Sequence, residues 1–286
     1  MKNTSKLKKT SWAIRSSFLL FLFSFHVGAQ DTLRVDTAYF QDLVKFYQNR
    51  CGNILKGDLY TGKKIIDTPY IYVYVSHREK VENALKNVGY FLPCQHNMKK
   101  AMHYDSLYSN INDCFIYKTA ANASTQISRE LLGYRKETQA FIVFHELTHV
   151  LLSTLKSKIT YTVSESVCDM VGNYLTREYT VAKKTLNLKI VDAQIMSNEH
   201  IYNLINSTIM RVEAEPKKRD QAYLFMSKEL TRVLAKGDAF QKFRFDHEIN
   251  NAYLLKNSFY SENYYFYKNK LIYNRMLPPD LREIAK

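Results

Sequence analysis

Two rhythms of apolar and polar positions divide the chain. Residues 36 to 50 have the three-and-four spacing of an amphipathic helix. Tyr70 to Ser76, following Pro69, alternates aromatic and β-branched residues and predicts a strand, and residues 78 to 88 return to helical spacing. Cys114 to Lys118 predicts a second strand. Beyond it the helical period takes over, at about 134–155, 164–178, 190–213, 218–236 and 245–275. A small sheet followed by a run of helices predicts an α+β fold, predominantly helical, rather than an alternating α/β one. No Pro/Gly/Ser-rich linker and no internal repeat interrupts the chain, so one domain is predicted.

The most apolar segment, Ala140, Phe141, Ile142, Val143, Phe144, Leu147, Val150, Leu151, Leu152 and Leu155, also carries His145, Glu146 and His149. In this H-E-x-x-H pattern the histidines stand one turn apart and about 40° around the axis, so both imidazoles can reach one ion. A catalytic zinc site needs three protein ligands and an open position for water, whose pKa then falls toward about 7. Glu146, beside the pair, is placed to take the proton as that water attacks a carbonyl and to deliver it to the departing amine. The alternative is a core helix without metal. It must bury three polar groups in one turn, each needing a partner or costing about 1 to 3 kcal/mol.

Fifteen residues past His149 the chain reads Ser164-Glu165-Ser166-Val167-Cys168-Asp169. Glu165 is the candidate third ligand, because it opens the apolar-periodic segment Val167, Met170, Val171, Tyr174 and Leu175. Asp169 follows one turn later on the same face. It is the candidate carboxylate for the other ring proton of His145, a contact that fixes the tautomer of a ligating histidine. An acidic first turn favoured by the helix macrodipole explains Glu165 alone about as well as zinc does, and the pair less well. Cys168 reads as a small packing residue. His77, His96, His103 and His200 fit no ligand spacing with the motif and are assigned to the surface or to packing.

H-E-L-T-H followed by S-E-x-x-x-D resembles the gluzincin metallopeptidases, the thermolysin-like class whose third zinc ligand is a glutamate on the next helix. The connection between the two helices is shorter here and nothing outside this segment resembles thermolysin, so calcium sites are not carried over. A nearer resemblance is to the exported bacterial proteins called predicted aminopeptidases, which pair H-E-x-x-H and a N/S-E-S helix with a later N-N-A segment. Here that segment is Glu248-Ile249-Asn250-Asn251-Ala252-Tyr253-Leu254-Leu255, followed by Tyr260, and the likeness covers about residues 130 to 280. The resemblance implies a zincin-like metallopeptidase domain over 30–286, a zinc cofactor and a peptide or protein substrate, with aminopeptidase action ahead of endopeptidase action. It also implies that the strand at Cys114–Lys118 borders the cleft, where an extended peptide can add to it by main-chain hydrogen bonds. Such hydrolysis needs a donor for the developing oxyanion. Tyr161, placed between the two metal helices, comes first, with His247 and Tyr260 as alternatives. Asn250 and Glu248 are candidates for holding a substrate amine, although a helix cap explains both as well. The dense aromatics from Phe259 to Tyr273 read as a core stripe, with a substrate-lining wall as the alternative.

Residues 1 to 29 carry Lys2, Lys6, Lys8, Lys9 and Arg15 ahead of the apolar run Phe18 to Phe25 and the small-residue site Val27-Gly28-Ala29. This is the pattern of a secretory signal peptide cleaved near Ala29, which predicts a periplasmic or secreted protein. The run is short of the about 20 residues a membrane span requires, and no later stretch qualifies. Removing the signal leaves 36 basic against 27 acidic residues, so the formal charge falls from +14 to +9. That charge is scattered in short clusters such as Lys217-Lys218-Arg219, which favours a solvated surface over a nucleic-acid groove, and it would draw the protein toward an anionic envelope surface or acidic substrates. Four cysteines in an oxidising compartment allow three pairings, of which Cys94 with Cys114, flanking one irregular segment, is expected. Two other functions fit the same residues: an exported binding protein with a structural or vestigial metal site, and a zinc hydrolase of a non-peptide amide or ester. A structural site closes its fourth position and needs no base, so Glu146 argues against the first.

Overall fold

The computed structural model describes residues 36–52, 59–60, 65–66, 70–78, 89–119, 127–235, 249–273 and 281. All belong to the unit Val35–Lys286. The expected leader, the helical segment at 79–88, His247 and Glu248 lie outside the described residues. Helix α1 (Thr37–Cys51) starts where the Asp36 carboxylate accepts from the Tyr39 amide, and it buries Phe40, Leu43, Val44 and Tyr47. A two-residue strand β1 (Ile65–Ile66) pairs in parallel with β5 (Ile127–Ser128). Between them run β2 (Tyr70–His77), β3 (Tyr90–Gln95), helix α2 (Met98–Tyr108) and β4 (Asn112–Thr119). These strands form one antiparallel sheet in the order β3-β2-β4, with Tyr74 opposite both Phe91 and Phe115.

Alternation along the strands gives the sheet two faces. Ile71, Val73, Val75 and Cys94 pack with Ala101 of α2 in a small core of their own. Tyr74, Phe91, Phe115 and Tyr117 look the other way, into the main core. The sheet thus lies between α2 and the helical half, and the expected α+β order holds. Both β3 and α2 occupy the stretch read as irregular. Cys94 and Cys114 stand on the two outer strands with β2 between them, at least two strand spacings of about 4.8 Å apart, beyond the reach of a disulfide. All four cysteines are free thiols, and the expected pairing is not made.

After the short helix α3 (Arg129–Leu132) come α4 (Lys136–Thr154), α5 (Tyr161–Lys183) and α6 (Leu188–Ala214). A 3-10 turn at Pro216–Lys218 leads into α7 (Arg219–Leu234), followed by α8 (Asn251–Ser261) and α9 (Tyr264–Tyr273). Helices α4 and α5 approach closely at Gly172, where an added Cβ would sit 3.1 Å from the Phe141 ring and 3.2 Å from its carbonyl oxygen. Tyr47 of α1 closes over α4 by donating to Thr148 Oγ1 at 3.1 Å. The single helix expected over 245–275 is broken at Glu262 and Asn263, because Ser166 of α5 enters its hydrogen-bond ladder. The Ser166 hydroxyl donates to the Phe259 carbonyl at 2.7 Å and accepts from the Asn263 amide at 3.3 Å. Among the described residues no helix is long and apolar enough to cross a membrane.

The N-N-A segment joins α8 to the sheet. Asn250 caps α8 by accepting from the Tyr253 amide at 2.9 Å, and its Nδ2 donates to the Cys114 carbonyl at 2.9 Å. Asn251 donates to the carbonyls of His77 and Arg78 while its own amide donates to Asp113. Both asparagines are therefore engaged at the sheet.

Candidate metal centre

Helix α4 presents His145 and His149 one turn apart, and Glu165 reaches them from the first turns of α5. The two Nε2 atoms lie 3.1 Å apart. Glu165 Oε2 is 3.5 Å from Nε2 of His145, and Oε1 is 3.4 Å from Nε2 of His149. Within the described residues these three side chains form the one His/Cys/Asp/Glu group whose ligand atoms all lie within 4.8 Å of one another. A tetrahedral zinc with ligand bonds of about 2.0 to 2.1 Å has ligand-to-ligand edges of about 3.3 Å. The histidine pair and the two carboxylate-to-imidazole spacings are of that size, the latter two made by different oxygens of Glu165, so the donor set is compatible with such an ion. This is the arrangement of an H-E-x-x-H plus glutamate, zincin-like metal site.

Surrounding groups decide which nitrogen each histidine offers. Nδ1 of His145 is 2.8 Å from Oδ1 of Asp169, which has no solvent exposure. A carboxylate there favours the proton staying on Nδ1, so that Nε2 is the nitrogen that would be offered to a metal once the ring is neutral. Tyr202 of α6 donates to the other Asp169 oxygen. Nδ1 of His149 faces the Ser164 hydroxyl at 3.2 Å, and Cys168 lies against the same ring. Asp169 thus stands where the sequence put it, and Cys168 is buried beside a ligand without belonging to the converging group.

The pocket is built for positive charge. Burial would lower the pKa of His145, but Asp169 and Glu165 outweigh it and raise it to about 10. For His149 burial is again outweighed, by Cys168 and Glu165, and the value rises to about 11. Burial pushes Glu165 up, and the two imidazoles drive it well below the usual carboxylate range. Two buried carboxylates and two imidazoles therefore call for a cation, supplied either by protons or by a metal.

Tyr161 is the first residue of α5 rather than part of a connection, because Thr160 already caps that helix. Its ring meets Phe91 and Phe259 edge-on at 5.5 and 5.6 Å, and its hydroxyl end faces Glu165, where burial and that carboxylate raise its pKa. Tyr260 stands near the same group, with its ring 6.4 Å from that of His145. Phe259 and Tyr264 are core residues whereas Phe266 is exposed, so the aromatic stretch divides between core and surface. His77, His96, His103 and His200 are all exposed, as expected. Sequence reasoning missed Tyr202, Ser164, Tyr117 and Lys256. Only Lys256 carried a signal, as a lysine directly after the apolar run Ala252 to Leu255. No family model, no curated protein and no solved structure matches the chain, and the site stands on its own geometry.

Proposed function

We propose that the protein is an exported zinc-dependent peptidase acting on peptide amino termini. The observation that carries the reading is the convergence of His145 Nε2, His149 Nε2 and the Glu165 carboxylate, whose ligand atoms lie within 4.8 Å of one another. Bound there, zinc would supply a Lewis acid acting on a carbonyl oxygen and a water molecule. His145, His149 and Glu165 would hold it, and Asp169 with Tyr202 would keep the His145 ring turned toward it.

Glu146 lies outside the ligand group, and its charge reaches Tyr161 and Cys168, which stand beside Glu165 and His149, a position that supports its reading as the base. Its carboxylate takes a proton from water as the new carbon–oxygen bond forms. It then gives that proton to the nitrogen as the carbon–nitrogen bond breaks. Strand β4 supports the placement of an extended substrate: among the described strands it is a sheet edge, and its Tyr117 lies close enough to feel the Glu165 charge. The preference for free amino termini rests on the resemblance to predicted aminopeptidases, and export on the leader pattern. A mature charge of +9, calculated from 36 basic and 27 acidic residues, favours contact with anionic envelope surfaces.

The test is to purify the mature form, measure zinc per chain, and compare amino-free with amino-blocked peptide libraries for wild type and Glu146→Gln. The variant is expected to keep zinc and lose turnover by about 100-fold or more. Equal cleavage of blocked peptides would end the amino-terminal reading. Zinc binding without Glu146-dependent turnover would establish the binding-protein alternative instead.

A further inference from the structure

Tyr161 and Glu165 stand one turn apart on α5, and helical side chains lean toward the amino terminus, so the Glu165 carboxylate comes down over the turn that Tyr161 opens. Tyr161 meets it there. Its ring is held edge-on between Phe91 of β3, at 5.5 Å, and Phe259 of α8, at 5.6 Å, so the sheet and α8 together fix where the phenol points. The residue is 52% exposed and Glu165 only 4%. The ring therefore stands at the surface while its hydroxyl end is turned inward, where the Glu165 carboxylate acts on it through a hydrogen bond and through its charge. Tyr117 and Tyr260 also feel that charge, but they come from β4 and α8, and of the three Tyr161 alone rides on the helix of the ligand.

A phenylalanine would fill the same slot between two aromatic rings, so the hydroxyl needs its own explanation. It has one proton to give, and an ionised carboxylate only accepts, so the phenol donates to Glu165. Each Glu165 oxygen also faces an imidazole, Oε2 at 3.5 Å from His145 and Oε1 at 3.4 Å from His149, and the second lone pair of either oxygen leaves room for this further donor. A glutamate side chain turns about three bonds, and a donor at its carboxylate removes part of that freedom before any ion arrives. A proton given to Glu165 does not serve a developing oxyanion, which takes Tyr161 out of the donor role expected from the sequence. Resting on the zinc reading above, we propose that Tyr161 is a positioning residue that holds the Glu165 carboxylate in register with His145 and His149 for metal binding.

The experiment adds zinc or cobalt(II) alone to metal-free mature protein. Competition against a fluorescent chelator gives zinc affinity, the visible absorption of the cobalt form reports ligand geometry, and circular dichroism checks the fold of every variant. Tyr161→Phe is expected to lower zinc affinity by about tenfold and to shift the cobalt bands, while binding of an Ala-Phe phosphinic dipeptide at saturating zinc stays within about twofold of wild type. In a Glu165→Ala background the same substitution should change zinc affinity by less than about twofold, because a residue acting through another has nothing left to act on. Where Glu165→Ala does not fold, the cobalt spectrum of Tyr161→Phe decides alone. Wild-type affinity and cobalt bands in Tyr161→Phe, or an equal loss in both backgrounds, would overturn the proposal. So would a loss of phosphinate binding by about 100-fold at unchanged zinc affinity, which would make Tyr161 the oxyanion donor instead. A wild type that takes up neither metal would overturn the metal-site reading and this inference with it. Zinc affinity that depends on Tyr161 in a protein that cleaves no peptide would support the inference while overturning the peptidase reading.

Discussion

Replacing Asp169 by asparagine separates the shape of the contact behind His145 from its charge. Asp169 is fully buried, with Oδ1 2.8 Å from His145 Nδ1 and Oδ2 accepting from Tyr202. Asparagine can keep its oxygen toward the imidazole and turn its amide to Tyr202, whose hydroxyl rotates to accept, so both hydrogen bonds survive. The negative charge does not. A hydrogen bond to a charged group contributes about 1.5 to 3 kcal/mol against 0.5 to 1.5 for a neutral one, so about 1 kcal/mol or more of ligand support is lost. With 1.4 kcal/mol equal to a factor of ten, zinc affinity should fall by about 10- to 100-fold, the range usual for partners behind a ligand. Asp169→Ala goes further, leaving two buried donors without acceptors at about 1 to 3 kcal/mol each, and should also weaken the metal-free fold. Competition against a fluorescent chelator at pH 7.5 measures the affinity, and urea unfolding of stripped protein measures the fold. A folded Asp169→Asn protein whose zinc affinity stays within twofold of wild type would refute the reasoning.

Other substitutions and conditions probe the surrounding structure. In metal-free protein the pKa values of His145 and His149 are raised to about 10 and 11, above the about 6.5 of the unfolded chain, so their contribution to stability is complete below pH 6.5 and disappears as pH climbs toward 10 to 11. Melting temperatures of chelator-treated protein should therefore drop between pH 6.5 and 9.5, while zinc occupancy rises over the same interval as protons leave the ligands; a flat or ascending melting profile contradicts this. Gly172→Leu drives a side chain into Phe141 and should destabilise by about 1 to 3 kcal/mol in urea and weaken zinc binding, since α4 and α5 carry the ligands. Asn250→Ala loses the α8 cap and the bond to the Cys114 carbonyl, so about 1 to 2 kcal/mol of stability should go with zinc content and amino-terminal preference unmoved. A stable variant with altered preference would return Asn250 to the role of amine holder.

The ligands were legible because the two helices that carry them are regular, and regular spacing turns directly into shared faces. His145, His149, Glu165 and Asp169 all follow from one-turn separations. What escaped lies in contacts between distant segments. Helix α2 has Ala101 as its one buried residue, so its apolar period is faint. Strand β2 separates Cys94 from Cys114, and nothing in their spacing reports a strand that comes earlier in the chain. The break after α8 is made by Ser166, 93 residues before Phe259. Thr160 and Ser164 can both cap a helix, and only packing shows that α5 begins at the earlier one. Tyr202 reaches Asp169 from a helix whose period is that of any core helix.

Three consecutive residues at the start of α5 face three structures: Ser164 meets the ring of His149, Glu165 meets the pair of imidazoles, and Ser166 locks the elbow between α8 and α9. The helix that carries Lys256 and Tyr260 is thereby braced by the neighbour of a ligand. The candidate ligand Glu165 and the elbow between α8 and α9 are consequently anchored by one turn of backbone, and a shift in its pitch cannot move either alone.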